Sequence, residues 1–586
     1  MIDWSKCLTI DSDTILSDVE HPFRVFAGPG AGKTHWLVNH IKNTLQKSNR
    51  LGLVSKIACI TYTNTGVEEI QSRLQQSAER VDVSTIHSFL YKNIVKPFSF
   101  LLIDEEGNEL LDGRNLDGHQ DHVPSFSKVK KWITNSLGSK YYYLLEADNR
   151  SNLYDCLNGL HWNLRDNQMV LAVSSQVIDK AKKIRLPNRL YDYKKEFWRQ
   201  GIIHHDDVLY LSYELVTKHP HLLRFIAAKF PYIFIDEFQD TNPIQTEIIR
   251  NLACHQVIVG VIGDLAQSIY KFQGANRDDF INFKFERTID YKIEGNKRST
   301  DNIILLLNHI RSKDLLQTLN NRLGRKVTLM IGDIHIALQS VMSAVDSTPV
   351  VLARSNEFVA QIRNQLEGRI SDLWRDFKLS DGSSSGRFRF MRSLFLAIDL
   401  MLADNYTEAT RVLAKEFRNY LDKAPVPELR KREYAINILQ KIVSNLNGFM
   451  KLSLLEFYGK VHTYILDKHN ISIGQTIGSR GSFKDFSTQC SGREMLDSLK
   501  TSRENHMVRT IHKAKGAEFE TVMVAYENKN FLKLITHPDI HHNNDEYRLC
   551  YVALSRAKSN LFICVNNATE EQIQTLYNIG LDIIYV

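Results

Sequence analysis

Apolar and polar positions alternate along this chain in a pattern of strands followed by helices. The apolar run Phe23 to Ala27 predicts a short buried strand. A glycine-rich turn follows, and then His35 to Ile41 shows the apolar spacing of a helix. Ile57 to Thr63 predicts a second strand, with Asn64 capping a polar helix, and a third short strand leads into Ser84-Thr85-Ile86-His87-Ser88-Phe89. From Leu90 to Asp206 the spacing turns helical and rich in aromatics and lysine, as an inserted helical domain would be. The strand pattern returns at Pro231 to Ile235 and at Val257 to Ile262. A second such unit begins at Tyr291 and includes a strand at Val350 to Ala353. Ser380 to Gly386 reads as a flexible joint, and Arg387 to Leu499 as a second helical, basic insertion. Strand character resumes at Val508 to Ile511, Thr521 to Ala525 and Leu561 to Val565. Strands alternating with helices predict α/β units, each built on a parallel sheet covered on both faces.

The turn after the first run changes the picture from fold to chemistry. Ala27-Gly28-Pro29-Gly30-Ala31-Gly32-Lys33-Thr34, set between a strand and a helix, is a P-loop. Its glycines let backbone N–H groups turn inward onto phosphate oxygens, and the helix N-terminus adds partial positive charge. Lys33 is expected on the β- and γ-phosphates and the Thr34 hydroxyl on Mg²⁺. Ala27 stands where the pattern usually has its first glycine. Asp236 and Glu237 end an apolar strand, where two adjacent carboxylates are poorly explained by packing. Asp236 is expected to hold the metal and Glu237 to polarise the attacking water. Gln267, after the neighbouring strand, is placed to sense the γ-phosphate, while Arg298 and Arg556 come from the second unit.

Composition adds bounds. At 586 residues, three or four folded units are expected, and 43% hydrophobic with 24% charged residues is ordinary for a soluble globular protein. A net charge of +7 fits a polyanion partner. Seven dispersed cysteines without a CxxC pair argue against a zinc ribbon and suit reduced thiols in a cytoplasm. No apolar run approaches a membrane span, and the N-terminus lacks a signal pattern.

In order, the chain carries the P-loop, Thr61-Tyr62-Thr63-Asn64, Thr85 to Phe89, Asp236 to Asn242, Gly263 to Ala275, Asn296 to Ser299, Thr510 to Phe519 and Arg548 to Ala557. Taken together these resemble a superfamily 1 helicase of the UvrD/Rep/PcrA group. The resemblance implies two RecA-like parallel-sheet domains, 1–89 with 206–292 and 293–379 with 500–586. It implies mainly helical insertions at 90–205 and 380–499. ATP would lie between the two domains with Mg²⁺, and its hydrolysis would drive 3′ to 5′ movement on single-stranded or tailed duplex DNA. By the same resemblance, Arg298 and Arg556 are arginine fingers, Glu518 approaches the ribose, and Tyr270 stacks on adenine. Tyr62, His87, Phe89, Phe272 and Arg354 would line the DNA path, where aromatic faces stack on any base.

Three features depart from the family pattern. No glutamine precedes the P-loop, the first being Gln46; Phe272-Gln273-Gly274-Ala275 replaces Trp-Arg-Gly-Ala; and the second insertion is short. The compact chain also resembles the helicase-like subunit of Gabija-type phage-defence systems, which accompanies an OLD-family nuclease. The alternative reading is therefore a DNA-dependent ATPase that senses DNA beside a nuclease and unwinds little. Intrinsic nuclease activity is not expected, because Ile289 to Lys292 sits where the helicase needs a strand. His537, His541 and His542, and likewise His204-His205-Asp206-Asp207, are expected to be solvated surface and not metal ligands. Lys128, Lys130 and Lys131 fit a solvated basic face or a phosphate contact equally well.

Overall fold

The computed structural model describes residues 2–116, 118–120, 124, 126–312, 314–366, 373–381, 385–402, 405–417, 428–473, 481–504, 507–527 and 529–586. The chain divides into two compact units, one formed by 1–354 with 510–586 and the other by 355–509.

The first unit holds two large sheets. The first contains β1 (Leu8–Ile10), β2 (Phe23–Ala27), β3 (Ile57–Thr61), β4 (Val81–Thr85), β5 (Tyr232–Ile235), β6 (Ile258–Gly263) and β7 (Ile289–Ile293). Its order is β1-β7-β2-β6-β5-β3-β4, and every pair is parallel. The central strands are apolar on both faces, as a sheet sandwiched between helices requires: all five residues of β2, all five of β3 and all six of β6 are buried. Tyr291 belongs to this sheet, between β1 and β2, and not to the second unit that sequence spacing assigned it to. The short edge strand β1 carried too few apolar residues to be read. Because the sheet is parallel, the loops after β2, β3, β4, β5, β6 and β7 all emerge at one edge, where ligands of α/β sheets bind.

The second sheet contains β8 (Thr328–Ile331), β9 (Val350–Ala353), β10 (Val508–Thr510), β11 (Phe519–Tyr526), β12 (Ala557–Val565) and β13 (Asp582–Tyr585). Its order is β10-β9-β11-β12-β8-β13, and the pairs from β9 onward are parallel. The chain thus has two parallel-sheet α/β domains of RecA-like type.

The segment between β4 and β5 is mainly helical, with two strand pairs the spacing missed: His119–Gln120 beside Ile203–His204, and an antiparallel hairpin of Leu160–Arg165 and Gln168–Val173. Asp166 and Asn167 turn the hairpin with φ of 47° and 58°, the left-handed values a two-residue hairpin turn needs. Within the cluster His204 to Asp207, His204 and Asp207 are buried, contrary to expectation, while His205 is exposed as expected. Asp207 is fully buried, accepting from Trp162 Nε1 at 3.1 Å and Trp198 Nε1 at 2.9 Å and pairing with Lys194 at 2.8 Å. Against burial, which would raise it, Lys194 and His204 hold the Asp207 carboxyl well below the usual range. Among the described residues no group of three or more His, Cys, Asp or Glu could hold a metal. Lys128 donates to Gln200 at 2.7 Å over the Phe197 ring, and Lys131 pairs with Glu196 at 2.9 Å, so both are tied to the protein.

The 355–509 unit is mainly helical in its described residues, around a core that includes Trp374, Phe377, Phe395 and Phe457. The expected insertion 380–499 lies within it. Helices Leu373–Ser380 and Ser385–Leu402 flank the expected joint, whose residues 382–384 lie outside the described ones. No described helix is long and apolar enough to cross a membrane.

Candidate active site

The P-loop joins β2 to the helix Lys33–Lys47. Gly30 and Gly32 have φ of 69° and 83°, a left-handed backbone that side chains resist. A Cβ on Gly32 would also lie 2.7 Å from Ser12 Cβ. Lys33 Nζ bends over the loop and donates to Gly28 O at 3.2 Å and Ala27 O at 3.4 Å. Its ammonium therefore sits over the cradle where a β–γ bridge of a nucleotide would run.

Strand order sets the next residues beside the cradle. β6 neighbours β2, and β5 neighbours β6, so Asp264 and Asp236 leave the sheet in adjacent positions. Asp236 is 6% exposed, and its Oδ1 accepts from Glu237 N at 2.9 Å. Glu237 adopts φ 53°, a strained value for a non-glycine residue of the kind found at functional sites. Burial and the neighbouring Glu237 push Asp236 up to about 7, with Lys33 pulling the other way. Glu237 is held low, against its burial, by Lys33 and Lys515. Asp236 and Glu237 carry hard carboxylate oxygens of the kind that suit Mg²⁺. Gln239 locks this edge by donating to Glu237 Oε2 at 2.5 Å, while its own Oε1 accepts from Asp264 N at 3.0 Å. Asn242 then starts the helix Pro243–Ala253 with a capping box and Pro243 in its first turn, which fixes where the Asp236–Asp240 loop ends.

From the second sheet, residues at the N-terminal ends of β11 and β12 come to the same place. Arg556 is 2% exposed and donates to Gln267 Oε1 at 3.0 Å. Its other donors reach Val552 O at 3.0 Å and Ser555 Oγ at 2.8 Å. Burial and the nearby Arg298 pull Arg556 down to about 9, which leaves it charged at neutral pH. Gln267 Nε2 in turn donates to Asp264 at 2.8 Å. Arg298 is less enclosed: it donates to Ser555 O at 3.1 Å and pairs with Glu518, which also meets Lys558 at 3.4 Å. Glu518, expected near the ribose, is thus engaged with Arg298. Lys515 crosses from the second sheet to Asp240 at 2.5 Å and to Gln267 O at 2.7 Å. Burial pushes Asp240 up to about 7 against the pull of Lys515.

The expected DNA-path residues divide. Tyr62 follows β3, and its ring stacks on Tyr270 at 5.0 Å and 22°. Its hydroxyl donates to Gln273 Oε1 at 2.6 Å, so the residue that stands for the family arginine touches this ring. Phe272 is 65% exposed and 5.3 Å from the His512 ring. Tyr270, expected on adenine, has Tyr62, Phe272, His512 and the Lys515 ammonium as neighbours. Phe89 is a correction. It is 1% exposed and packs on Phe230 at 5.3 Å, leaving no face for a base. His87 is half-buried against His205 at 3.7 Å, and burial with its histidine neighbours holds it well below the usual range. Arg354 pairs with Glu546 at 2.7 Å.

Several groups carry weight here that sequence reasoning left without a role. Lys515, Gln239 and Asp264 lie inside the motifs but bind other motif residues. Arg311 lies outside every motif; it is fully buried and pairs with Asp264 at 3.1 Å and Asp314 at 2.7 Å. Its position in a helix end gave no signal.

Comparison with known proteins agrees with this arrangement. Residues 9–287 match the UvrD/REP helicase N-terminal domain, and residues 404–568 match the UvrD-like helicase C-terminal domain. The chain is 23% identical to a probable DNA helicase II homolog of Mycoplasma capricolum, over 93% of this chain and 82% of that protein. It is 23% identical to the ATP-dependent DNA helicase Rep of Buchnera aphidicola, over 92% of each. To the ATP-dependent DNA helicase PcrA of Leuconostoc citreum it is 26% identical, over 49% of this chain and 36% of that protein. With both domains present in order, and with residues of two RecA-like sheets meeting at the P-loop edge, the chain belongs to the UvrD/REP helicase family.

Proposed function

We propose that the protein is an ATP-driven motor on single-stranded DNA that moves 3′ to 5′ and opens tailed duplexes. Its RecA-like domains are taken as 1–89 with 206–292 and 293–379 with 500–586, with insertions at 90–205 and 380–499. The observation that carries this reading is the buried contact from Arg556 of the second sheet to Gln267 of the first, beside Asp236 and Glu237. Lys33 and the loop amides hold the phosphates. Asp236 and the Thr34 hydroxyl would hold Mg²⁺, which neutralises phosphate charge when bound. Glu237 takes the proton of the attacking water, kept in position by Gln239. A phosphoryl group in transit spreads charge over its oxygens, and arginine stays charged and can bind two of them at once. Arg556, at the start of β12, and Arg298, in the loop after β7, supply this, so hydrolysis depends on how the two domains meet, and turnover moves DNA past Tyr62, Tyr270 and Phe272.

The test is ATP hydrolysis with and without single-stranded DNA, run beside strand displacement on 3′- and 5′-tailed duplexes. DNA-stimulated hydrolysis with opening of the 3′-tailed substrate alone is expected. Opening of the 5′-tailed substrate alone overturns the polarity. Strong stimulation with no displacement favours the alternative, a DNA-sensing ATPase that works beside a nuclease.

A further inference from the structure

Two carbonyls of the phosphate loop are taken by groups that follow β7 in the chain. Gly30 O accepts from Lys297 N at 2.8 Å, and Pro29 O accepts from Gln317 Nε2 at 2.8 Å. Gln317 lies in the irregular segment between the helix Asp301–Ile310 and β8, outside every motif, yet is only 4% exposed. Its backbone is gripped from outside by one residue: Gln317 N donates to Asn308 Oδ1 at 2.8 Å, and Asn308 Nδ2 donates to Gln317 O at 2.7 Å. Its side-chain Oε1 accepts from Asn296 Nδ2 at 3.1 Å. Asn296 Oδ1 then accepts from Arg298 N at 2.9 Å and Ser299 N at 3.0 Å. Two side-chain amides therefore run in series from the Pro29 carbonyl to the backbone of Arg298.

The loop is shaped around these amides. A Cβ on Gly28 would lie 2.7 Å from Gln317 Nε2, and one on Gly30 would lie 2.5 Å from Asn296 Oδ1. At both glycines a Cβ would crowd Gln317 or Asn296, so the loop fits closely against these two amides. A buried primary amide whose two ends meet opposite partners cannot be replaced by an apolar group without stranding a donor or an acceptor.

We propose that Gln317 is a positioning residue that sets the Arg298 backbone in register with the phosphate loop, so that a shift of the loop is passed to the arginine. This rests on the reading of Arg298 as a finger. A residue that merely joined the two halves would affect stability and act independently of Arg298.

The experiment is a double-mutant cycle in DNA-stimulated ATP hydrolysis, with Gln317→Met, which keeps length and removes the hydrogen bonds, and Gln317→Glu, which replaces the donor by a carboxylate. Each is compared alone and combined with Arg298→Ala, with single-strand binding as the check of folding. Expected for each single variant is a kcat lower by about tenfold with KM for ATP changed by less than about twofold. In the Arg298→Ala background the same change should cost nothing further, because coupled sites are not additive. Losses that multiply in the double variant, a parental kcat in the single variants, or failure of both to fold would each overturn the proposal. If Arg298→Ala alone keeps parental turnover, the finger reading fails, whatever Gln317 does.

Discussion

Around β2, β5 and β6 the sheet edge carries charged groups that are buried and already paired; around β3 and the Tyr270 loop it carries rings that are partly exposed. Asp236, Gln267 and Arg556 are each 6% exposed or less, whereas Phe272 is 65% exposed. The difference follows from what each stretch must do. Phosphate chemistry needs fixed charges in a dry place, since an unpaired buried charge is costly and a preorganised one is effective. Base stacking needs an open ring face and tolerates many ring types. One edge therefore combines a tightly determined half with a permissive half.

The comparison breaks most visibly at the arginines. Arg298→Ala and Arg556→Ala should each lower DNA-stimulated turnover by about 10³–10⁵, as arginine fingers do elsewhere, with lysine restoring neither. Because Arg556 is more enclosed than Arg298, its loss should also lower the melting temperature. Glu237→Gln should keep ATP binding and lower turnover by about 10²–10⁴, measured by single-turnover hydrolysis; parental turnover would remove Glu237 from the chemistry.

Phe89 sharpens the boundary from the other side. Phe89→Ala should cost about 3–5 kcal/mol of folding stability, read by urea unfolding, because it empties a core position. A weakened DNA affinity at unchanged stability would return Phe89 to the DNA path. A pH-dependent effect concerns His40, which stacks on Trp36 at 4.9 Å with both ring nitrogens lacking hydrogen-bond partners. Burial pulls it down to about 3 from 6.5. The unfolded chain therefore binds a proton here that the native state refuses. The stabilisation is complete above pH 6.5 and falls by about 1.4 kcal/mol per pH unit below it, toward pH 3. His40→Phe should flatten this part of the pH dependence of unfolding; an unchanged slope would refute the assignment.

How much of this was legible in the sequence follows the same division. That the P-loop, Asp236, Glu237, Gln267 and Arg556 come together was legible because each stands at or near a strand end. The central strands were readable because both faces are apolar. Phe89 misled because an aromatic residue in a motif looks the same whether its ring points to solvent or to Phe230. That Tyr62 stacks on Tyr270 was not legible, because neighbours at a sheet edge are decided by strand order and not by local sequence. Buried polar networks such as Lys194–Asp207 and Arg311–Asp264 join residues distant in sequence, so nothing short-range marks them.

The division of the edge into a hydrolytic and a stacking half is tested most directly by one crossed measurement. ATP turnover at saturating single-stranded DNA and equilibrium affinity for that DNA are measured for Arg556→Ala and Phe272→Ala. Arg556→Ala should lose turnover and keep its affinity. Phe272→Ala should keep turnover at saturating DNA and bind about 5- to 150-fold more weakly, the equivalent of roughly 1–3 kcal/mol for one stacked base. If both variants lose turnover and affinity together, the two halves are one site and the account is wrong.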